Sequence, residues 1–255
     1  MLIHIVYLRG DFSLEKLFLH IDVNNAFLSW TAVDRLNKGD KLDLRTVPAI
    51  IGGDEATRHG IVIAKSNVAK KFGIKTADPI YLARKKCPSI MVVNSDRELY
   101  IKYSNKLYEL FLEYTDKVER FSIDECFLDM TGCLKNGEDI IKVGLEIKNK
   151  VSKEFGFTVN VGVSNDKILA KMASDFEKPD KLHTLFKSEI KNKLWPLPVS
   201  EMFLVGKKSV SKLERLGIRT IGDLALADKA ILIKNFGKYG YTIWKYANRT
   251  KWRRS

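Results

Sequence analysis

Three acidic residues, Asp22, Asp124 and Glu125, stand where a chain can aim carboxylates at one point. Asp22 ends a short apolar run at residues 17–21 (LFLHI) that reads as a buried strand. Asp124 and Glu125 fall at the joint between two strand-like runs, residues 117–122 (KVERFS) and 125–130 (ECFLDM). Carboxylates at strand ends are how proteins hold hard divalent cations such as Mg²⁺ through oxygen ligands. Two such ions together can activate a hydroxyl and stabilise a leaving phosphate. Each acid alone has a plainer use: Asp22 can cap a following helix, and Asp-Glu is a common turn dipeptide. Successive strand residues point to opposite faces, so Asp124 and Glu125 share a site only if the backbone bends there.

The elements that must position these acids can be read from periodicity. Residues 24–37 read helical, with Phe27, Trp30, Val33 and Leu36 recurring on one face. Residues 47–52 (VPAIIG) and 61–64 (IVIA) are short β-branched runs, read as a hairpin or as neighbouring strands. Residues 66–72 then resemble a short helix with Ser66 as N-cap and Gly73 as stop. The longest helical pattern is residues 97–115, with Leu99, Tyr103, Leu107, Leu110 and Tyr114 on one stripe. Residues 139–155 are a further amphipathic helix, 157–163 (FTVNVGV) a further strand, and Ser164 is expected to cap a helix running through Ser174. The order predicts an α+β fold with helices on one face of a mainly antiparallel sheet and a small lobe inserted after the first helix. After Lys178-Pro179 the composition changes, and residues 194–247 show short helical patterns broken by Gly206, Gly217, Gly222, Gly237 and Gly240, with no strand expected there; this part is read as a small all-helical domain.

Composition bounds the function classes. The 255 residues are 45% hydrophobic and 29% charged, enough for a folded core and too apolar for a disordered polyelectrolyte. The net charge is +13, and residues 201–255, with 13 basic against 4 acidic residues, supply +9 of it. A basic C-terminal part beside a nearly neutral body favours a polyanionic partner. Cys87, Cys126 and Cys133 form no CxxC pair and have no histidine at ligand spacing, which argues against a disulfide scaffold or a structural zinc site. Reduced thiols in a cytoplasmic, soluble protein are expected. No apolar run reaches the roughly 18 residues of a membrane span.

Ser122-Ile123-Asp124-Glu125 followed by Cys-Phe-Leu-Asp resembles the SIDE(A/C)(Y/F)LD signature of Y-family (UmuC/DinB-like) translesion DNA polymerases. Three more blocks follow that family in order: residues 19–27 (LHIDVNNAF) its first palm strand and helix entry, residues 60–75 (GIVIAKSNVAKKFGIK) its fingers segment, and residues 161–175, continuing to Lys178-Pro179, its palm-to-thumb segment. The resemblance implies that Asp22, Asp124 and Glu125, with the Val23 carbonyl, bind two Mg²⁺ ions as cofactors and serve as the catalytic acids. It places Phe27 at the aromatic steric gate under the incoming sugar, although an aromatic there could equally be core. It places Lys167 on the incoming triphosphate, although a lysine at such a position is ordinarily a solvated one. Lys70 stands where many relatives carry an arginine gripping the β- and γ-phosphates, keeping the charge without the bidentate fork. Asn67 stands where many carry a tyrosine, and Arg58 is expected near the templating base or its phosphate.

The C-terminal part resembles the family's helix-hairpin-helix thumb. Gly206, Lys207, Lys208 and Lys212 sit in the hairpin segment, and Lys238 in a second turn at residues 235–240, as expected DNA-phosphate contacts. Leu204 replaces the first glycine of the usual Gly-hydrophobic-Gly turn, so a positive φ there would be strained. The domains expected are a leader at 1–16, palm at 17–30 and 90–175, fingers at 31–89, thumb at 176–248 and an atypical tail at 249–255. The family's little-finger domain has no matching segment here. The implied partners are primer-template DNA and a dNTP, with a sliding clamp reached through a C-terminal region; a monomer without membrane attachment is expected. The reaction implied is template-directed addition of a dNMP to a primer 3′-hydroxyl, in DNA damage bypass. The alternative is a truncated DNA-binding remnant with little polymerase activity. A metal-dependent nuclease shares the carboxylates but explains neither Phe27 nor the Lys167 segment.

Overall fold

The computed structural model describes residues 16–53, 60–134 and 139–248 of the chain. In chain order the elements are β1 (Phe18–Val23), α1 (Ala26–Asn37), β2 (Ala49–Gly52), β3 (Val62–Lys65), α2 (Asn67–Lys71), α3 (Ile80–Lys86) and β4 (Met91–Asn94). Next come α4 (Arg97–Leu112), β5 (Val118–Arg120), β6 (Glu125–Asp129), α5 (Ile140–Phe155), β7 (Val159–Ser164), α6 (Lys167–Asp175) and β8 (Leu182–Thr184). Four helices follow: α7 (Lys207–Arg215), α8 (Ile221–Leu226), α9 (Lys229–Phe236) and α10 (Lys238–Asn248).

The main sheet has the order β5-β6-β1-β7-β8, antiparallel except for the parallel β7–β8 pair. β1 and β7 lie at its centre and are buried along their whole length. Alternation divides their side chains between two layers. Leu19, Ile21, Val23, Val159, Val161 and Val163 join the core formed with α1, α4 and α5. His20 and Asn160 face the other way, toward α6, where His20 Nδ1 meets Ser174 Oγ at 2.8 Å and Asn160 Nδ2 donates to the Ser174 carbonyl at 2.9 Å. The sheet therefore carries a helix on each face, where the sequence pattern suggested one face alone. Gly162 makes this possible: a Cβ there would lie 1.8 Å from the Ala170 carbonyl oxygen.

α6 is capped by Asp166, whose Oδ1 accepts from the Ile168 and Leu169 amides. Ser164, the residue expected to cap it, is the last residue of β7, and its hydroxyl donates to the Leu185 carbonyl at 2.6 Å. The strand runs further than its apolar residues suggested, and the aspartate two positions on is a good N-cap. α2 begins as expected, with Ser66 Oγ accepting from Ala69 N and Gly73 at φ 74 beyond its end.

Two short strands were not legible in the sequence. β4 pairs in parallel with β2 to complete a second sheet, β3-β2-β4, with its own core of Ile50, Val62, Ala69, Ile74, Ile80 and Ala83. β4 lies within the 90–175 segment assigned to the main sheet's domain. β8, three residues long, lies in the segment read as wholly helical and pairs in parallel with β7. The C-terminal helices pack around Leu213, Ile221, Leu224, Leu232 and Ile243, and α6 contributes Leu169, Met172 and Ala173 to the same core. α6 thus ties the sheet to the helical part. No helix among the described residues is long and apolar enough to cross a membrane. The expected leader and tail lie largely outside the described residues.

Candidate active site

Strand register sets the first two acids side by side. In the antiparallel β1–β6 pair Asp22 is the partner of Glu125, and the Val23 amide donates to the Asp124 carbonyl at 3.0 Å. The bend that the sequence argument required is present. The Phe121 and Ser122 amides both donate to the Glu125 carbonyl, so Asp124 sits in the turn before β6 and outside its alternation.

The three carboxylates are turned to three different donors. Asp22, buried, pairs with Lys178, which also reaches Asp175 at 2.8 Å. Glu125 pairs with the buried Lys171 at 2.6 Å. Asp124 Oδ1 accepts from the Ser122 hydroxyl at 2.6 Å. Among the described residues no three His, Cys, Asp or Glu side chains converge in a metal-ligating group. Carboxylates brought together repel one another, and each here is matched with a nearby donor instead. The Asp22 carboxyl is raised to about 6: burial pushes it up most, Lys178 pulls it down, and Glu125 and Asp175 add to the rise. Burial works to lower the Lys178 ammonium, and Asp22 and Asp175 more than reverse this. One lysine thus leaves Asp22 short of positive charge. Next to it, burial and then Lys171 and Lys178 hold His20 well below its ordinary value, so it is neutral.

A buried amide pair, missed in the sequence, holds Lys178 where it is. Asn24 Nδ2 donates to Asn160 Oδ1 at 3.0 Å, and Asn24 Oδ1 accepts from Thr158 Oγ1 and the Asp180 amide, both at 2.9 Å. Asn160 Nδ2 in turn donates to the Ser174 and Glu177 carbonyls. The segment after α6 is therefore tied to the ends of β1 and β7. An alternating strand predicts apolar residues there, so only the tertiary fold reveals these asparagines as a network.

A cavity of about 370 Å³ is lined by Asp124, Ala26 and Phe27 together with Ile63, Lys65, Asn67, Lys70 and Thr76 of the small lobe. Phe27 is half-buried and packs against Tyr100 with the rings tilted 32° and centroids 4.6 Å apart, while still lining the cavity. It is therefore both a core contact and a cavity wall. Asn25, at φ 50 in the β1–α1 turn, donates from Nδ2 to the Lys65 carbonyl at 2.9 Å and so ties the small lobe to the first strand. Asparagine tolerates this left-handed backbone, the one signal that could have marked it. Lys65 and Thr76 were also missed. Lys167 does not line the cavity: its ammonium pairs with Glu119 and lies 5.7 Å from the Phe18 and Phe127 ring centroids. Arg58 lies outside the described residues.

In the helical part, Leu204 has φ 70, the strained conformation expected from its position. Gly206 caps α7 with open space around it, and Lys207 and Lys208 stand exposed in the first turn. Gly237, at φ 62, precedes Lys238, the exposed first residue of α10. The Tyr239 hydroxyl donates to the Leu204 carbonyl at 2.9 Å and lies 3.2 Å from Ser209 Oγ, joining the two turns. Lys212 is drawn elsewhere: its ammonium donates to the Asn235 carbonyl and sits 4.7 Å from the Phe236 ring centroid.

Residues 21–175, more than half of the chain, match the model of the impB/mucB/samB family, and residues 187–218 match the IMS family HHH motif. The chain belongs to the impB/mucB/samB family. This family member is 50% identical over 235 residues to a protein named DNA polymerase IV from Clostridium acetobutylicum, covering 92% of this chain and 59% of that one. It is 35% identical to DNA polymerase IV 2 of Bacillus subtilis over 92% of its own length and 56% of the relative's. The chain thus spans under two thirds of the length of these relatives. Among solved structures it is similar to DinB from Sulfolobus solfataricus, with TM-score 0.80 and 28% identity over 91% of this chain and 67% of that one. It is also similar to the insertion ternary complex of Dbh DNA polymerase, with TM-score 0.82 and 27% identity over 93% and 69% of the two chains. The fold is that of the Y-family polymerases: a palm with an antiparallel sheet backed by helices, a small fingers lobe and a helix-hairpin-helix thumb.

Proposed function

We propose that this chain carries the catalytic centre of a translesion-type DNA polymerase, adding a dNMP to a primer 3′-hydroxyl under template direction and releasing pyrophosphate. The observation that carries the reading is the cavity that Asp124 lines, with Asp22 and Glu125 paired in the adjoining strands. Its lining combines the aromatic Phe27 with the polar groups of Asn67 and Lys70. Such a pocket suits a ligand with an apolar body and an anionic tail. Relatives named DNA polymerase IV and a neighbour titled as an insertion ternary complex support it.

The donor set fits magnesium: Asp22, Asp124, Glu125 and the Val23 carbonyl are all hard oxygen ligands. Asp22, left near 6 by burial in spite of Lys178, is short of positive charge, as a divalent-ion ligand would be. When bound, two Mg²⁺ ions would lower the pKa of the primer hydroxyl and neutralise charge building on the triphosphate. The residues do the rest. Phe27, fixed by Tyr100, lies under the sugar and leaves no room for a 2′-hydroxyl. Asn67 and Lys70 take the phosphates. Lys167 reaches them by exchanging Glu119 for phosphate. Gly206, Lys207, Lys208 and Lys238 offer amide groups and charge to DNA phosphates, with Lys212 a poorer candidate because it is already engaged. We assign residues 17–30 and 90–175 to the palm, 31–89 to the fingers and 176–248 to the thumb, with β4 and β8 paired across these boundaries. Bypass of damaged templates, in the cytoplasm, follows as the physiological setting of this reading.

Primer extension with Mg²⁺ at low salt, comparing the chain with Asp124→Ala, tests it. Losing a metal ligand removes several kcal/mol of transition-state stabilisation, a rate loss of about 10³-fold or more. Equal extension by both proteins would overturn the reading. DNA binding by both without extension would leave a DNA-binding protein.

A further inference from the structure

We propose that Lys65 is a nucleotide-binding lysine, a second positive charge beside Lys70 that holds the phosphate tail of a nucleoside triphosphate in this cavity. The inference rests on the polymerase reading above and names a residue that neither the sequence motifs nor the comparisons assign. Lys65 is the last residue of β3, paired in register with Ile50 of β2, so its backbone is fixed by a sheet rather than a loop. Its carbonyl accepts from Asn25 Nδ2 at 2.9 Å, which anchors it to the turn that presents Phe27. Its ammonium donates to Thr76 Oγ1 at 3.0 Å, and both residues line the cavity.

Several other lysines are committed to carboxylates. Lys167 pairs with Glu119, Lys171 with Glu125, Lys178 with Asp22 and Lys86 with Asp78. Lys65, half-buried, makes no ion pair among the described residues, and its one partner there is a neutral hydroxyl. An ammonium has three donors, so it can keep Thr76 and still meet two phosphate oxygens. The cavity lining is mixed to match. Ala26, Phe27 and Ile63 offer apolar surface to a sugar and base, whereas Lys65 and Lys70 offer ammonium donors, Asn67 an amide and Thr76 a hydroxyl, beside the Asp124 carboxylate. A lysine replacing an arginine fork at Lys70 supplies a point charge without bidentate geometry, and a second point charge compensates for it. Thr76 acts as a positioning residue, keeping the flexible Lys65 side chain against the wall.

The test titrates dTTP and dTMP, each with Mg²⁺, into the full 255-residue chain, Lys65→Gln and Lys65→Arg, with thermal unfolding of each as a check on folding. Loss of one phosphate contact should weaken dTTP about tenfold in Lys65→Gln while dTMP stays within about twofold. Lys65→Arg, keeping the charge, should hold dTTP within about threefold of the parent. In primer extension the same loss should fall on KM, with kcat nearly unchanged. Undiminished dTTP affinity in Lys65→Gln, or equal loss of dTTP and dTMP, would overturn the proposal. A parent chain that binds dTTP and extends primers while Lys65→Gln behaves like it sinks this inference alone. A parent chain that binds neither nucleotide sinks the polymerase reading with it.

Discussion

At the end of the β1–β6 pair each of the three acids faces a donor: Asp22 has Lys178, Glu125 has Lys171, and Asp124 has the Ser122 hydroxyl. At the hairpin helices Lys207, Lys208 and Lys238 stand exposed, with no ion pair among the described residues. The first region joins residues up to 156 positions apart in sequence, with Asp22 and Lys171 buried in it. The second is assembled from helix starts within about one turn of their glycines. Burial explains the difference. A charge taken out of water must be matched or neutralised, whereas a solvated lysine can stay unpaired at little cost. Matched groups fix geometry for chemistry. Unmatched ones provide attraction that depends on salt.

Three experiments would break or sharpen that contrast. The largest effect is expected from Gly162→Ala, because its methyl would lie 1.8 Å from the Ala170 carbonyl and 2.6 Å from the Ser174 amide, both backbone atoms. α6 must move, at a cost of about 3 kcal/mol or more, with a thermal midpoint about 10 °C lower. A midpoint within about 2 °C of the parent would mean that the packing of α6 on β7 is looser than this geometry. The second concerns the lysines. Lys207→Ala should weaken primer-template binding about threefold at low salt and flatten the log K against log salt slope by about 0.7–0.9. Lys212→Ala, already bound to the Asn235 carbonyl, should leave that slope as it is. Equal slopes for the two variants would erase the distinction between waiting and engaged lysines. The smallest effect is expected from Leu204→Gly. A leucine at φ 70 is strained, and this one is half exposed, so glycine relieves the backbone with little loss of burial. The relief of about 1 kcal/mol is partly offset by the freer unfolded chain, leaving a rise of about 1–2 °C. A fall in midpoint would show that the Leu204 side chain contributes packing.

Much of the fold was legible because its long elements carry strong periods. α4 buries Leu99, Tyr103, Leu107 and Leu110 as its stripe predicted, and Asp139 caps α5 at the start of its pattern. β4 and β8 were not legible, since a strand of three or four residues has too few positions to show alternation. Each forms because a partner strand waits beside it. The candidate acids were legible from their motif, and so was Phe27. Lys65, Thr76, Tyr100 and the Asn24–Asn160 pair were not, because none differs in type from an ordinary surface or core residue.

By itself the sequence determined which residue types are available for chemistry, the basic character of the C-terminal part and the order of the major elements. The tertiary structure decided which lysines are spent on carboxylates and which remain open, and it turned Asp22, Asp124 and Glu125 toward three separate donors. It also set Lys65 in the lining of the same cavity as Phe27. The reason is physical: periodicity reports which face of an element is apolar, but pairing between charges depends on distance and burial, which exist only once the strands and helices have been brought together.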